Sequence, residues 1–73
     1  MDELIRILEE VKPDVDYELE TALIDDGIIE SLELMQIISE IEAEFDVEIE
    51  MENLIPENFN SAEAIMNLIE SLQ

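Results

Sequence analysis

The sequence predicts an all-α protein, a small four-helix bundle with three long helices and one short helix. Three segments place Ile and Leu at the spacing of an amphipathic helix, and only one short segment alternates as a strand would. No other segment offers that strand a partner, and a lone strand leaves its backbone hydrogen bonds unmade. We therefore expect a single domain, residues 1–73, that is held together by packed helices.

The first predicted helix covers Asp2 to Val11, with Asp2 as its cap. Pro13 ends it, because proline lacks the N–H that a helix needs. Residues 13–30 then form a long loop, with at most a short helical turn within 18–23, and this length would let the first two long helices pack nearly parallel. The apolar face of the first helix consists of Leu4, Leu8 and Val11, with Ile5 and Ile7 beside them.

The second and longest predicted helix covers Ser31 to Phe45 and has two distinct apolar faces. At 100° per residue, a core-facing stripe about 100° wide contains Leu34, Ile37, Ile38, Ile41 and Phe45. A smaller patch on the flank contains Leu32, Met35, Ser39 and Ala43. An apolar patch ringed by acids suits a transient protein contact. Alternatively, Leu32 and Met35 fill gaps in the core under the long loop.

The C-terminal third contains an extended connector, a short helix and the last long helix. Residues 46–51 alternate, and we expect their apolar members Val47, Ile49 and Met51 to face the core. Pro56 opens or ends a single helical turn within 52–59. Either Asn60 or Ser61 caps the last helix, and Asn60 has the spacing of a capping box with Glu63. The packing stripe of that helix is Ile65, Leu68, Ile69 and Leu72, extended by Met66.

Charge is the strongest signal in the composition. There are 22 acidic residues and 2 basic ones, Arg6 and Lys12, which gives a formal net charge of −20. This charge repels nucleic acid and anionic lipid and favours a protein partner with a basic patch. The chain has no cysteine, no basic start of a secretory signal and no apolar run near the ~20 residues that cross a bilayer. We expect a cytoplasmic monomer that does not insert into membranes.

The residue types leave little room for catalysis or for a metal site. Without histidine or cysteine, no Ser-His-Asp or thiolate nucleophile can be built, and a carboxylate pair would need a pocket that so short a chain hardly encloses. Asp14, Asp16 and Glu18 match the first ligands of a calcium loop, but Leu19 replaces its glycine and Asp25 its final glutamate. We expect a protein that is not an enzyme and has no dedicated metal site, with a calcium-binding helical protein as the minor hypothesis.

Ser31 is the residue on which a functional reading depends. It follows a loop that contains the only glycine, Gly27, and it stands at the start of the longest predicted helix. Free backbone N–H groups and the positive end of the helix dipole would stabilise a phosphodiester attached there. The alternative is that Ser31 is an ordinary helix cap.

The stretch Gly27, Ile28-Ile29, Glu30, Ser31 and Leu32 resembles the motif of phosphopantetheine-dependent acyl and peptidyl carrier proteins, which is Gly, one or two residues, then Asp-Ser-Leu. The order of long loop, glycine, serine, acidic helix and final helix is similar over nearly the whole chain. The resemblance implies an acyl-carrier-protein-like bundle in which a separate transferase attaches phosphopantetheine from coenzyme A to Ser31. The arm would then hold an acyl or aminoacyl group as a thioester.

This resemblance also implies partners and a docking face. The partners would be the phosphopantetheinyl transferase, a loading ligase and acyl-transfer enzymes with basic docking patches, in fatty-acid, polyketide, peptide or cell-wall-type biosynthesis. The docking face would consist of Leu32, Glu33, Met35, Gln36, Ser39 and Glu40. The alternative class is an unmodified acidic helical module that binds a basic partner through the same face.

Two details of the motif bear on the subclass of carrier. Glu30 occupies the position where the family usually has Asp, and glutamate is a poorer helix cap. Two residues separate Gly27 from Glu30, whereas fatty-acid carriers have one. That spacing, and the stretch from Pro56 to Ser61, looks more like D-alanyl carriers and free-standing carriers of secondary metabolism.

Overall fold

The computed structural model describes residues 1–73 and contains four α-helices and no strand. The helices are α1 (Asp2–Val11), α2 (Ser31–Phe45), α3 (Pro56–Phe59) and α4 (Ala62–Leu72), and a 3₁₀ turn (Met51–Asn53) precedes α3. The predicted all-α bundle of three long helices and one short helix is confirmed, and α1 and α2 begin and end at the predicted residues. No helix forms within 18–23, and the chain makes only an isolated turn there, in which the Glu20 N–H donates to the Asp16 carbonyl at 2.9 Å.

The core lies between the three long helices and is entirely apolar. Each long helix buries the middle of the stripe that its periodicity predicts, with residues at the ends of the stripes only partly buried, and the loop between α1 and α2 adds three side chains of its own. Fully burying one such Leu or Ile side chain stabilises the fold by roughly 1.5–3 kcal/mol. The 14 buried residues are Leu4, Ile7, Leu8, Tyr17, Leu23, Ile29, Ile37, Ile38, Ile41, Phe59, Ala62, Ile65, Leu68 and Ile69.

Helices α1 and α2 run antiparallel, so the expected near-parallel packing is wrong. Arg6 Nη2 lies 3.6 Å from Glu44 Oε1 near the end of α2, whereas Lys12 Nζ lies 3.5 Å from Glu33 Oε2 near its start. At the Glu44 end, the pKa of Glu3 is raised, because protonated Glu3 donates a side-chain hydrogen bond to the Glu44 carboxylate and because the negative charge of Glu44 disfavours ionised Glu3. The loop therefore leaves α1 and enters α2 at the same end of the bundle, because its buried residues turn it back onto the core.

The N-cap of α1 differs from the prediction, and the loop residue Tyr17 contacts the other end of the helix. Met1 is the N-cap and Asp2 is the first helical residue, so Asp2 does not cap the helix, although its charge still suits the positive dipole end. At the other end, the Tyr17 hydroxyl is within hydrogen-bond reach of two carbonyl oxygens, those of Leu8 (3.2 Å) and Lys12. Burial, with the nearby charges of Glu33 and Glu9, raises the pKa of Tyr17 to about 12.

The connector after α2 follows the predicted alternation only in part. Asp46 adopts a left-handed conformation (φ 55°) that ends α2, and Val47 and Ile49 pack against the core as predicted. Met51 does not, since 88% of it is exposed. The 3₁₀ turn that begins at Met51 rotates its side chain away from the core, and a tight turn of this kind leaves no trace in an alternating pattern.

Of the two caps predicted for α4, the serine cap is confirmed. Ser61 is the N-cap, and its Oγ accepts a hydrogen bond from the Ala64 N–H at 3.0 Å. Asn60 and Glu63 do not form a box. The Asn60 side chain turns instead toward the loop between α1 and α2, where it accepts hydrogen bonds from Ile24 and Asp25.

We predict that Tyr17→Phe lowers the free energy of unfolding by about 1 kcal/mol, because the ring still fills the core while the carbonyls at the end of α1 lose their donor. Urea unfolding at pH 7 measures this loss. Ser71→Ala is the matched control, since it removes a hydroxyl that donates to the Leu68 carbonyl at 2.7 Å near the end of α4, where water can replace it, and should cost less.

The Tyr17→Phe cost should also depend on pH. The pKa of Tyr17 is raised from 10.0 to about 12, so its contribution is complete below pH 10 and is lost as the pH rises through 12. The stability difference between the wild type and Tyr17→Phe should narrow over that range. A difference that is absent at pH 7, or that widens above pH 10, would contradict this account of the hydroxyl.

Candidate functional site

Ser31 is the first residue of α2, and Glu30 before it is the N-cap. Glu30 has extended backbone angles (φ −91°, ψ 170°), and its carbonyl accepts the first helical hydrogen bond, from Leu34 N–H at 2.8 Å. The Glu33 carboxylate reaches back to accept the Glu30 N–H at 2.9 Å, as in a capping box. Ser31 is therefore not a helix cap, because a glutamate fills that role.

The Ser31 side chain is exposed, and its hydroxyl forms no hydrogen bond within the chain. Two of the other serines use their hydroxyls for structure, Ser61 as the cap of α4 and Ser71 in the last turn of that helix. Ser39 is also exposed, but it lies in the middle of α2, away from the free N–H groups of the helix start. Ser31 alone combines an unengaged hydroxyl with a helix N-terminus.

The chain reaches Ser31 through a tight turn whose inner side chains are buried. Gly27 has φ +69°, a conformation that other residues avoid, and open space surrounds the position that a Cβ would take. Across this turn the Ile29 N–H donates to the Leu23 carbonyl at 3.0 Å, and both of these side chains lie in the core. Since Ile29 is anchored and Glu30 follows it, the start of α2 has a fixed position relative to the bundle.

The charges around the start of α2 are arranged unevenly. Ser31 lies at the free N–H groups and the positive dipole end of α2. Lys12, one of the two basic residues of the chain, lies close to this first turn, with its Nζ 3.5 Å from Glu33 Oε2. Beyond the first turn the exposed surface of α2 is acidic. An anionic group attached at Ser31 would therefore meet favourable charge locally, while the helix beyond it attracts cations.

The flank patch predicted on α2 lies at the surface. Leu32 is 81% exposed and Met35 is 54% exposed, so the alternative in which they fill gaps in the core is wrong. Gln36, Ser39 and Glu40 are exposed as well. The sixth predicted member of the face, Glu33, is only half-buried at the surface, and its carboxylate is already engaged by the Glu30 N–H and Lys12, so it is less free than the others.

The structure adds exposed apolar residues that the sequence reasoning missed. Met51, Leu54 and Ile55 are exposed on the segment that leads into α3. Leu54 and Ile55 also line an apolar cavity of about 90 Å³, together with Ile24, Leu34, Pro56 and Phe59. A usable signal was present, because the residue before a proline favours extended backbone, and an apolar pair in a short extended segment cannot turn both side chains inward.

The acidic residues do not converge. No group of three or more acidic side chains is arranged to hold a metal ion. In the segment that resembles part of a calcium loop, Asp16 Oδ1 instead accepts the Glu18 backbone N–H at 3.2 Å. None of the helices has both the length and the apolar character to span a membrane.

The order of the elements, a long loop, an acidic helix, a short helix and a final helix, is the one that the resemblance to carrier proteins implies. The family described as the phosphopantetheine attachment site matches residues 2–69. The chain belongs to this family and is a carrier protein whose prosthetic group, phosphopantetheine, is covalently attached. Domains of this family are in general acyl carriers rather than catalysts. No curated protein and no solved structure matches the chain.

Proposed function

We propose that Ser31 carries the phosphopantetheine arm and that the chain passes an acyl or aminoacyl group between partner enzymes. The observation that carries this proposal is the exposed, unengaged Ser31 hydroxyl on the first residue of α2. Gly27, Glu30 and Leu32 complete the motif, as the turn before the serine, the helix cap and the first exposed apolar residue after it.

The residues around Ser31 fit a phosphodiester. Free N–H groups in the first turn of a helix bind anions, and the backbone at Ser31 is open to solvent rather than covered by another element. The attached group supplies a thiol, which this chain lacks, and with it the ability to hold cargo as a thioester. The chain itself contributes the exposed hydroxyl, the anchored loop and a recognition surface.

The flank of α2 beside Ser31 is the best candidate for partner docking. Leu32 and Met35 form an apolar centre, with Gln36, Ser39 and Glu40 exposed around it and Glu33 at its edge. A small apolar patch with an acidic rim favours rapid and reversible binding to enzymes with basic patches. Such partners would include the phosphopantetheinyl transferase, an acyl- or aminoacyl-loading ligase and acyl-transfer enzymes.

The spacing of the motif favours one subclass of carrier. The pair Ile28 and Ile29 between Gly27 and Glu30 favours a free-standing carrier of the D-alanyl or secondary-metabolite kind over a fatty-acid carrier. In the structure this pair is divided, with Ile29 buried and Ile28 packed at the edge of the core. The two-residue spacing therefore lets one residue anchor the loop while the next leads into the helix cap.

We predict that Ser31→Ala folds like the wild type but gains no phosphopantetheine, because the nucleophilic oxygen is lost while no hydrogen bond of the fold is removed. The intact mass of each chain, before and after incubation with coenzyme A and a broad-specificity transferase, measures this. Ser71→Ala, which removes a hydroxyl on α4, is the control and should gain the same single increment as the wild type.

Either of two results would contradict the proposal. If folded wild-type chain gained no mass with an active transferase, the acidic helical module that binds a basic partner without modification would become the better reading. If Ser31→Ala gained the increment, another residue would be the attachment site.

We predict that Glu30→Asp raises the rate of modification by about twofold, because aspartate is the better N-cap and would hold the first turn of α2 more firmly by a few tenths of a kcal/mol. The hydrogen bond from the residue-30 N–H to the Glu33 carboxylate uses only the backbone of residue 30 and would persist. Time courses of the mass increment measure the rate, with Glu70→Asp on α4 as the matched control. A rate equal to or below that of the wild type would refute this role of the cap.

A further inference from the structure

Asn60, in the junction between α3 and α4, makes four hydrogen bonds to the loop that precedes Ser31. Its backbone oxygen accepts the Leu23 N–H at 2.9 Å, and its Oδ1 accepts the N–H groups of Ile24 at 3.0 Å and Asp25 at 3.1 Å. Its Nδ2 donates to Asp25 Oδ2 at 3.1 Å. One residue thus satisfies three consecutive N–H groups that lie more than thirty positions away in the sequence.

The asparagine side chain suits this position because its amide contains both an acceptor and a donor. The oxygen has two lone pairs and takes two N–H groups, while the NH₂ group faces the carboxylate of Asp25. An aspartate here would place two carboxylates against each other, and an alanine would leave the N–H groups of Ile24 and Asp25 to water. No other residue on α3 or α4 makes hydrogen bonds to this loop.

The hydrogen bonds of Asn60 fall on the residues that form the turn before α2. The Leu23 carbonyl accepts the Ile29 N–H at 3.0 Å, and the Ile24 carbonyl accepts the Gly27 N–H at 3.0 Å. Asn60 thus holds the segment that enters this turn, and the segment that leaves the turn ends in Glu30, the cap of α2. A substitution at Asn60 would therefore alter the position of the Ser31 hydroxyl through this turn, without any contact between the two side chains.

We propose that Asn60 is a positioning residue for the attachment reaction, in which it fixes the loop so that the Ser31 hydroxyl is presented to the transferase in one place. This inference rests on the proposed attachment at Ser31. In that reaction Ser31 Oγ bonds to the pantetheine-bearing phosphorus of coenzyme A and the phosphoanhydride bond breaks. Adenosine 3′,5′-bisphosphate then leaves, and the serine proton passes to a base of the transferase.

A positioning role differs measurably from a purely structural one. Leu23 and Ile29 are held by burial of their own side chains, and Asn60 itself is only half-buried, so its variants should still fold. The docking flank of α2 is not held by the loop, so the transferase should bind the carrier about as well as before. The loss should appear in kcat, because a misplaced nucleophile slows the chemical step far more than it weakens docking.

The test is steady-state loading by a broad-specificity phosphopantetheinyl transferase with coenzyme A, with the carrier as the varied substrate. We expect Asn60→Ala to lower kcat by about tenfold and to leave KM for the carrier within about twofold. Asn58→Ala is the matched control, because Asn58 also donates from its amide, to the Asn53 carbonyl at 2.8 Å, but does not touch the loop. It should load like the wild type.

A charge-exchange pair separates positioning from any general effect of mutation. Asn60→Asp should lower kcat, since its carboxylate meets that of Asp25. The double variant Asn60→Asp with Asp25→Asn restores one donor and one acceptor with their places exchanged, and it should regain most of the wild-type kcat. Faster hydrogen exchange at the backbone amides of residues 24 and 25 in Asn60→Ala would show directly that the loop is held less firmly. In the double variant the exchange rates should return toward those of the wild type.

Three results would overturn the inference while the wild type loads normally: Asn60→Ala with the wild-type kcat, a loss confined to KM, or a double variant no faster than Asn60→Asp. A loss of kcat with KM unchanged, and its recovery in the double variant, would support it. If the wild type does not load at all, the proposed function itself fails, which distinguishes the two failures.

Discussion

The loop between α1 and α2 is held against the helices by three buried side chains, Tyr17, Leu23 and Ile29, and the position of Ser31 depends on this burial. A loop of this length would otherwise move freely, because ordering each residue costs about 1–2 kcal/mol of conformational entropy. Burial of the three side chains offsets part of that cost, and the hydrogen bonds of Tyr17 and Asn60 fix where the loop runs. The loop is thus part of the fold, and the site at its end inherits the rigidity of the core.

Charge acts on this fold in two opposing ways. The net charge of −20 on a small domain disfavours the compact state through self-repulsion. Both basic residues lie on or next to α1 and form ion pairs with acids of α2, although exposed pairs add at most about 1 kcal/mol each. The remaining acids face outward and favour basic partners. The same composition therefore weakens the fold slightly and suits a carrier that must dock repeatedly.

The features of the fold that depend on local sequence patterns were predicted better than those that depend on contacts between distant segments. The apolar period predicted α1 and α2, because the stripe of a helix can be read from consecutive residues. The same angles separated the flank patch of α2 from its core stripe, but only the structure showed that the patch is exposed. The antiparallel direction of α1 and α2 and the turn of Asn60 toward the loop depend on contacts between distant segments, which no local pattern records. Met51 was misplaced for a related reason, since a 3₁₀ turn interrupted an alternation that looked continuous. The motif indicated Ser31 as the candidate attachment site, whereas the anchoring of its loop became visible only in three dimensions.

The central claim is that attachment occurs at the one serine that has both an unengaged hydroxyl and a helix N-terminus. Fragmentation mass spectrometry of the loaded chain tests it most directly, because it reads the modified position without altering the sequence. The account predicts the whole phosphopantetheine increment on Ser31. An increment on Ser39, which is equally exposed but lies in the middle of α2, or on Ser61 or Ser71, would show that the helix start and its anchored loop do not select the site.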